Sequence, residues 1–169
     1  ADKQKCKAAL ENAYNLLYDS DNKLIKLFAP PFGRDTEYAG YINAYAKGVR
    51  ENGGQYTHAA VWFTAALAMM GMKEEAFTLL NGINPLKRAE DKILFSRYKA
   101  EPYAIAADIY TARGQLGRGG WSFYTGAAGW FCKTVLEVFM GINYKNGYID
   151  ISPLFEYEAT LLLNGEISI

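Results

Sequence analysis

The chain has one histidine, His58, and it opens an apolar stretch, Thr57 to Met70, that reads as a buried helix. Thr125 and Gly126 stand at the start of a second apolar helix. Helix N-termini present N–H groups without intrahelical partners at the positive end of the dipole, so residues at two such starts could converge on one anion. The plain alternatives are a core histidine bonded to a carbonyl and, for Thr125, an N-cap worth about 1 kcal/mol. A cap and an anion contact are compatible, because the Thr125 hydroxyl can serve one while the Gly126 backbone serves the other.

Three further residues carry chemistry. Glu51 follows Arg50 in a long loop and has Arg50 and Lys47 as ion-pair partners within reach along the chain. Glu101 precedes Pro102, which reads either as an acid favoured by a helix dipole or as a group facing a ligand site. Gly117-Arg118-Gly119-Gly120 has no strand before it and no dinucleotide spacing, so it is a tight loop presenting Arg118 and Trp121. Arg118 supports an anion or braces that loop, and the residue types leave both open. The 13 Tyr, 9 Phe and 3 Trp exceed what a core of this size needs, and many lie in loops beside glycine. Flat rings with a polar edge suit the faces and hydroxyls of sugars, or else pack between helices.

Composition removes several classes. Eighteen Lys and Arg balance 18 Asp and Glu, so no net field draws the chain to nucleic acid or to an anionic membrane. The uncharged run between His58 and Lys73 is shorter than the roughly 18 apolar residues of a membrane span. Cys6 and Cys132 are far apart and lack metal-ligand spacing, which fits a reducing compartment, and the cytoplasm is the expected location. No resident metal or cofactor is expected. The polar start without methionine reads as a trimmed or excerpted chain.

The elements that position these residues follow from period and punctuation. The spacing predicts helices over Lys5–Tyr18, Thr57–Met70, Lys73–Leu80, Pro102–Ala112 and Thr125–Phe139, with a long ordered loop over Leu27–Gly54. Ala59, Trp62, Phe63, Ala66, Met69 and Met70 are expected on the apolar side of the second helix, and the fifth is apolar nearly all round and so expected to be buried. After Gly141 the period falls to two. Tyr148–Ile151 and Tyr157–Leu163 read as strands, with Asn164-Gly165 turning the second back through Glu166 to Ile169. The fold class is mainly α, paired helices with a short C-terminal β cap, divided at residues 1–143 and 144–169.

Three blocks then stand in order: Arg50 to Ala60 (REN-GGQ-YTHAA), Tyr98 to Tyr103 (YKAEPY) and Gly117 to Trp130 (GRGGWSFYTGAAGW). Together they resemble the inverting β-glycoside phosphorylases of glycoside hydrolase family 94, the cellobiose and chitobiose phosphorylases and the phosphorylase-like module of cyclic β-1,2-glucan synthases, over about Ala8 to Phe155. Arg50 to His58 and the Ala106-Ala107-Asp108-Ile109-Tyr110 run are nearest the glucan-synthase branch. The resemblance implies the C-terminal part of an (α/α)6 barrel with its site at the mouth. It implies that His58, Thr125 and the Gly126 backbone contact phosphate, which is a substrate here, and that Glu51 binds the acceptor sugar; Glu101 and Trp121 are candidate further sugar contacts from their own residue types and loop positions. The implied partners are a β-linked glucose oligosaccharide or glucan, and inorganic phosphate or glucose 1-phosphate.

The family's general acid, an aspartate in a Trp-Asn-Asp type segment, has no counterpart among the seven Asp residues of this sequence. It is expected upstream, which leaves this chain with binding roles and no turnover of its own. A partial ring would also expose apolar surface at Phe63, Met69 and Met70, and self-association through that edge is expected. Two other classes fit the residues: an (α/α)6 hydrolase using Glu51 and Glu101 as acid and base, and a non-catalytic sugar-binding or helical interaction module.

Overall fold

The computed structural model describes residues 2–33, 36, 39–123 and 125–155. These described residues are mainly α, with three two-stranded sheets among them. Helix α1 (Lys3–Leu17) starts on Asp2, whose carboxylate accepts the N–H groups of Gln4 and Lys5 at 3.0 and 3.4 Å. It runs into β1 (Tyr18–Asp19), which pairs antiparallel with β2 (Leu24–Ile25). A long loop follows, broken only by a 3-10 turn at Gly40–Ala44 among its described residues. The loop ends at β3 (Gln55–Tyr56), and β3 leads straight into α2 (Thr57–Met69).

Helix α2 is apolar on every side, so period alone does not tell which side is inside. The buried line is Ala60, Val61, Thr64, Leu67 and Ala68, not the expected one through Trp62 and Met69, which are 51% and 77% exposed. Thr64 lies inside at little cost, because its hydroxyl donates to the Ala60 carbonyl at 2.8 Å. Gly71, at φ +79°, turns the chain into α3 (Lys73–Ile83), which packs back on α2 through Ala76, Leu79 and Ile83.

Two helices follow that the apolar period does not reveal, α4 (Pro85–Glu90) and α5 (Lys92–Tyr98). Their signals are caps. Asn84 accepts from Leu86 N–H at 3.0 Å with Pro85 in the first turn, and Asp91 accepts from Ile93 and Leu94 N–H at 2.9 and 3.1 Å. Between these caps Arg88 is 1% exposed, and its guanidinium donates to the carbonyls of Gly82 (2.7 Å), Lys23 (2.6 Å) and Asn22 (3.4 Å). It therefore ties the end of α3 to the β1–β2 turn. Burial pulls its pKa down to about 10, against the opposing effect of the neighbouring Tyr98, Tyr18 and Asp91.

The helix expected over Pro102–Ala112 does not form. After a turn at Pro102–Tyr103 the chain extends into β4 (Asp108–Ile109), antiparallel to β3 with Gln55 opposite Ile109 and Tyr56 opposite Asp108. Ala106, Ala107, Asp108 and Ile109 are all 5% exposed or less, so consecutive residues are buried and an apolar run mimics the pattern of a buried helix. Helix α6 (Thr125–Lys133) continues as a π-helix over Thr134–Phe139, which spans the expected helix. Only Ala127, Thr134 and Phe139 are buried along it, whereas Trp130 and Leu136 are 38% and 42% exposed, so the expected all-round burial is absent.

Strand β6 (Tyr148–Ile151) is where the alternation placed it, but its partner is β5 (Ile142–Lys145), joined through Asn146-Gly147 at φ +51° and +87°. Both central residues at positive φ make this the tight hairpin turn favoured by an Asn-Gly pair. The β region therefore begins at Ile142. The expected strand Tyr157–Leu163 and the Asn164-Gly165 turn lie outside the described residues.

Replacing Arg88 by Met keeps the buried stem and leaves the Gly82 and Lys23 carbonyls without donors. The loss expected in chemical denaturation is about 2–4 kcal/mol. Arg88→Lys is expected to recover only part of it, because one ammonium cannot reproduce the guanidinium fork. An Arg88→Met variant as stable as wild type would remove Arg88 from the framework.

Candidate functional site

The segment Ala107–Thr111 joins the first and third sequence blocks. Ala107 N–H donates to the Trp121 carbonyl at 2.6 Å, and its own carbonyl accepts Thr57 N–H at 3.0 Å. The Trp121 loop is thus bonded to the start of α2. Tyr110 N–H donates to Arg118 O at 2.8 Å, Thr111 N–H to Gly48 O at 2.8 Å, and the Thr111 hydroxyl to Gly53 O at 2.8 Å. Gly48, at φ +82°, lies so close that an added Cβ would sit 2.4 Å from Ala112 N.

Asp108 is fully buried in the middle of this segment. Its Oδ2 accepts the Arg50 N–H at 2.8 Å, and Oδ1 occupies the space beside Gly120, where a Cβ would lie 2.0 Å away. Burial raises its pKa above the ordinary carboxylate value. The Arg50 N–H and guanidinium pull it back, Glu51 pushes it up, and the Trp121 N–H lowers it. Period and spacing do not single out Asp108 as a site residue. The available signal was an acid set in an unbroken apolar run with a double glycine at positions 119 and 120.

On the loop that Asp108 holds, the Arg50 Nε and Glu51 Oε2 lie 3.5 Å apart, with each side chain 15% exposed. Glu51 therefore has the ion-pair partner its neighbours in sequence offered. Asn52, 1% exposed, binds the Phe32 N–H at 2.8 Å and the Tyr45 carbonyl at 2.9 Å, which staples the long loop against the same strap.

His58 is half-buried in the first turn of α2. Its ring lies against the first turn of α6, since a Cβ on Gly126 would stand 3.6 Å from Nδ1 and 3.7 Å from Cε1. The two helix starts that carry His58 and Thr125-Gly126 are side by side. Thr57 Oγ1 and His58 Nε2 are buried and have no hydrogen-bond partner among the described residues. Trp62 lies edge-on to the imidazole at 4.6 Å and to Trp130 at 5.4 Å, bracing the ring between α2 and α6.

The remaining residues sit on the adjoining loop. Trp121 is 61% exposed. Glu101 does not begin a helix, so the dipole reading fails. A hydrogen bond with Ser122, first, holds its carboxyl below the ordinary range. Arg118 is exposed and donates to Gln115 Oε1 at 3.0 Å, which braces the loop against an amide. Among the described residues no group of three or more His, Cys, Asp or Glu is placed to hold a metal ion, and no helix is long and apolar enough to cross a membrane.

Residues 1–141 match the family described as the glycosyl hydrolase 94 superfamily, catalytic domain, and the chain belongs to that family. It is 38% identical over 169 positions to the cyclic β-(1,2)-glucan synthase NdvB of Rhizobium meliloti (strain 1021), an alignment that takes in 97% of this chain and 6% of that protein. It is 25% identical to the N,N'-diacetylchitobiose phosphorylase of Vibrio furnissii, over 89% of this chain and 18% of that protein. It is also 25% identical to the 1,2-β-oligoglucan phosphorylase of Listeria innocua, over 79% of this chain and 14% of that protein. The chain thus spans less than a fifth of the length of each of these relatives.

Because Asp108 binds a proton more readily folded than unfolded, it contributes stability that is full below the ordinary carboxylate value and lost as pH rises through its raised folded value. The difference in Tm between wild type and Asp108→Asn is therefore expected to move in favour of wild type as pH falls from neutral toward 3.8, the ordinary Asp value. A difference constant across that range would show that Asp108 titrates normally.

Proposed function

We propose that this chain is the phosphate- and acceptor-binding part of an inverting β-glycoside phosphorylase module, acting on a β-linked glucose oligosaccharide or glucan. The observation that carries the reading is the contact between the His58 ring and Gly126, which places two helix starts on one small volume. Inorganic phosphate is itself the nucleophile in such a reaction, so the protein need only hold and orient it with donors and local positive potential. His58, the Thr125 hydroxyl and the Gly126 N–H supply these. Glu51, Glu101 and Trp121 face the acceptor sugar, two as acceptors for hydroxyl hydrogen bonds and one as a flat apolar surface. The acid that protonates the leaving oxygen comes from another part of the protein. In the reverse direction the same site takes glucose 1-phosphate.

The helices are read as the C-terminal part of an (α/α)6 ring over residues 1–143, with a β cap over 144–169. Of the edge residues expected to be exposed, Met69 is, whereas Phe63 packs on the core and Met70 is half-buried; Met69 with the exposed Trp62 and Leu136 is the surface that further helices of the ring would cover. Free Cys6 and Cys132 fit a reducing compartment such as the cytoplasm. The second reading, a hydrolase using Glu51 and Glu101 as acid and base, differs in needing no phosphate for turnover.

In the longer protein, release of glucose 1-phosphate from β-1,2- or β-1,4-linked oligosaccharides is expected to depend on phosphate. Removing one preorganised donor to a reacting anion typically costs about 10²–10³ in rate, the loss expected for His58→Ala, with Thr125→Val raising the KM for phosphate. Hydrolysis at full rate without phosphate would replace this reading with the hydrolase; sugar binding without turnover would replace it with a binding module. The isolated 169-residue chain is expected to show no turnover and to self-associate in sedimentation. A clean monomer at high concentration, with no dye-binding apolar surface, would remove the open-edge reading.

A further inference from the structure

We propose that Asp108 is a positioning residue for the acceptor sugar: its carboxylate, seated against Gly120, holds the Arg50 peptide and so aims the Arg50–Glu51 pair. The proposal rests on the reading that Glu51 meets the acceptor.

Arg50 is a non-glycine residue at φ +48°, a left-handed conformation that persists only where its surroundings over-determine it. Two contacts do so. Its N–H is captured by Asp108 Oδ2 at 2.8 Å, and its carbonyl accepts Gly54 N–H at 3.2 Å. Glu51 is the next residue, so the orientation of the Arg50 peptide sets the direction in which the Glu51 side chain leaves the loop. The charges act in the same sense. Asp108 and Glu51 both bear on the single Arg50 guanidinium. With Asp108 uncharged, Arg50 would be drawn wholly to Glu51 and would compete with a sugar hydroxyl for its carboxylate.

The seat is exclusive. Asp108 is 0% exposed, and a Cβ on Gly120 would lie 2.0 Å from Oδ1 and 2.9 Å from Cγ, with Tyr110 Cε1 at 3.1 Å, so neither a side chain at 120 nor a longer acid at 108 has room. A buried carboxylate is costly, and an amide of the same shape would keep the packing and one acceptor oxygen for the Arg50 N–H but lose the charge that strengthens that bond. What the carboxylate adds is the fixed geometry of the Arg50 turn and its register with the Trp121 loop, whose backbone bonds to Ala107.

The test is steady-state synthesis by the longer protein that carries this chain, with acceptor and glucose 1-phosphate varied separately. Asp108→Asn is expected to raise the KM for the acceptor about tenfold and to leave that for glucose 1-phosphate within about twofold, the scale of one hydrogen bond to a charged group. Glu51→Gln, in parallel, is expected to raise the acceptor KM as well. An unchanged acceptor KM in Glu51→Gln would remove the reading of Glu51 and with it this proposal. A response in Glu51→Gln but none in Asp108→Asn, or equal changes in both KM values, would overturn the positioning role alone. If Asp108→Asn does not fold, hydrogen exchange in the wild-type protein decides. An Arg50 amide as protected as that of Ala107, and slowed further by acceptor but not by phosphate, supports the proposal; exchange at the rate of an open loop overturns it.

Discussion

The buried carboxylate of Asp108 and the short extended segment around it are the constraint on which the site geometry depends. Desolvating a carboxylate is unfavourable, and here it is offset only in part, by the Arg50 N–H at Oδ2, while the Asp108 backbone carbonyl accepts the Gly120 N–H. The two loops so bonded carry Arg50-Glu51 on one side and Trp121 on the other. Because the same segment donates and accepts along its backbone to Thr57, Arg118, Gly48 and Trp121, residues from three distant stretches of chain share one hydrogen-bonded strip. The glycines at 48 and 120 are where this strip approaches other backbone or carboxylate atoms too closely for any side chain.

A second buried charge performs the corresponding task in the helical half. Arg88 has no carboxylate within ion-pair distance among the described residues and is instead satisfied by carbonyls at the end of α3 and in the β1–β2 turn. Helix ends leave carbonyls without intrahelical partners, and a planar guanidinium can serve several at once. The two charges thus act on opposite deficits, Asp108 on unpaired donors of loops and Arg88 on unpaired acceptors of a helix end. Between them runs α2, whose first turn carries His58 and whose buried line through Val61 and Leu67 joins the helical core.

The aromatic residues divide into two populations. Tyr98 is 2% exposed, and its hydroxyl donates to the Ala104 carbonyl at 3.1 Å, so it is framework. Trp62 and Trp130 brace the imidazole and are partly open, while Trp121 stands on the loop. A tryptophan offers a large apolar face with one donor, which serves equally for packing and for a sugar ring. Composition alone could not assign the three, because the assignment depends on which other elements lie alongside.

Local pattern sufficed for the helices that bear amphipathic or strongly apolar runs, for the loop before β3, and for His58 and Thr125-Gly126 as residues at helix starts. These are properties of neighbouring residues: period, caps and glycine stops act within one or two turns. Helices α4 and α5 were not among the elements the period predicts; their local signals are the caps at Asn84-Pro85 and Asp91. The identity of the strand at Asp108–Ile109 was not legible locally, because a segment buried on both sides loses the alternation that marks a strand and resembles a helix in its apolar content. Nor could sequence spacing tell which side of α2 faces inward, since the helix is apolar all round and only contact with α3 and α6 chooses. The adjacency of His58 and Gly126, 68 positions apart in the numbering, and the capture of the Arg50 N–H by Asp108 were decided by tertiary structure alone. Hydrogen bonds and close backbone approaches between distant segments leave no periodic trace in the chain that makes them.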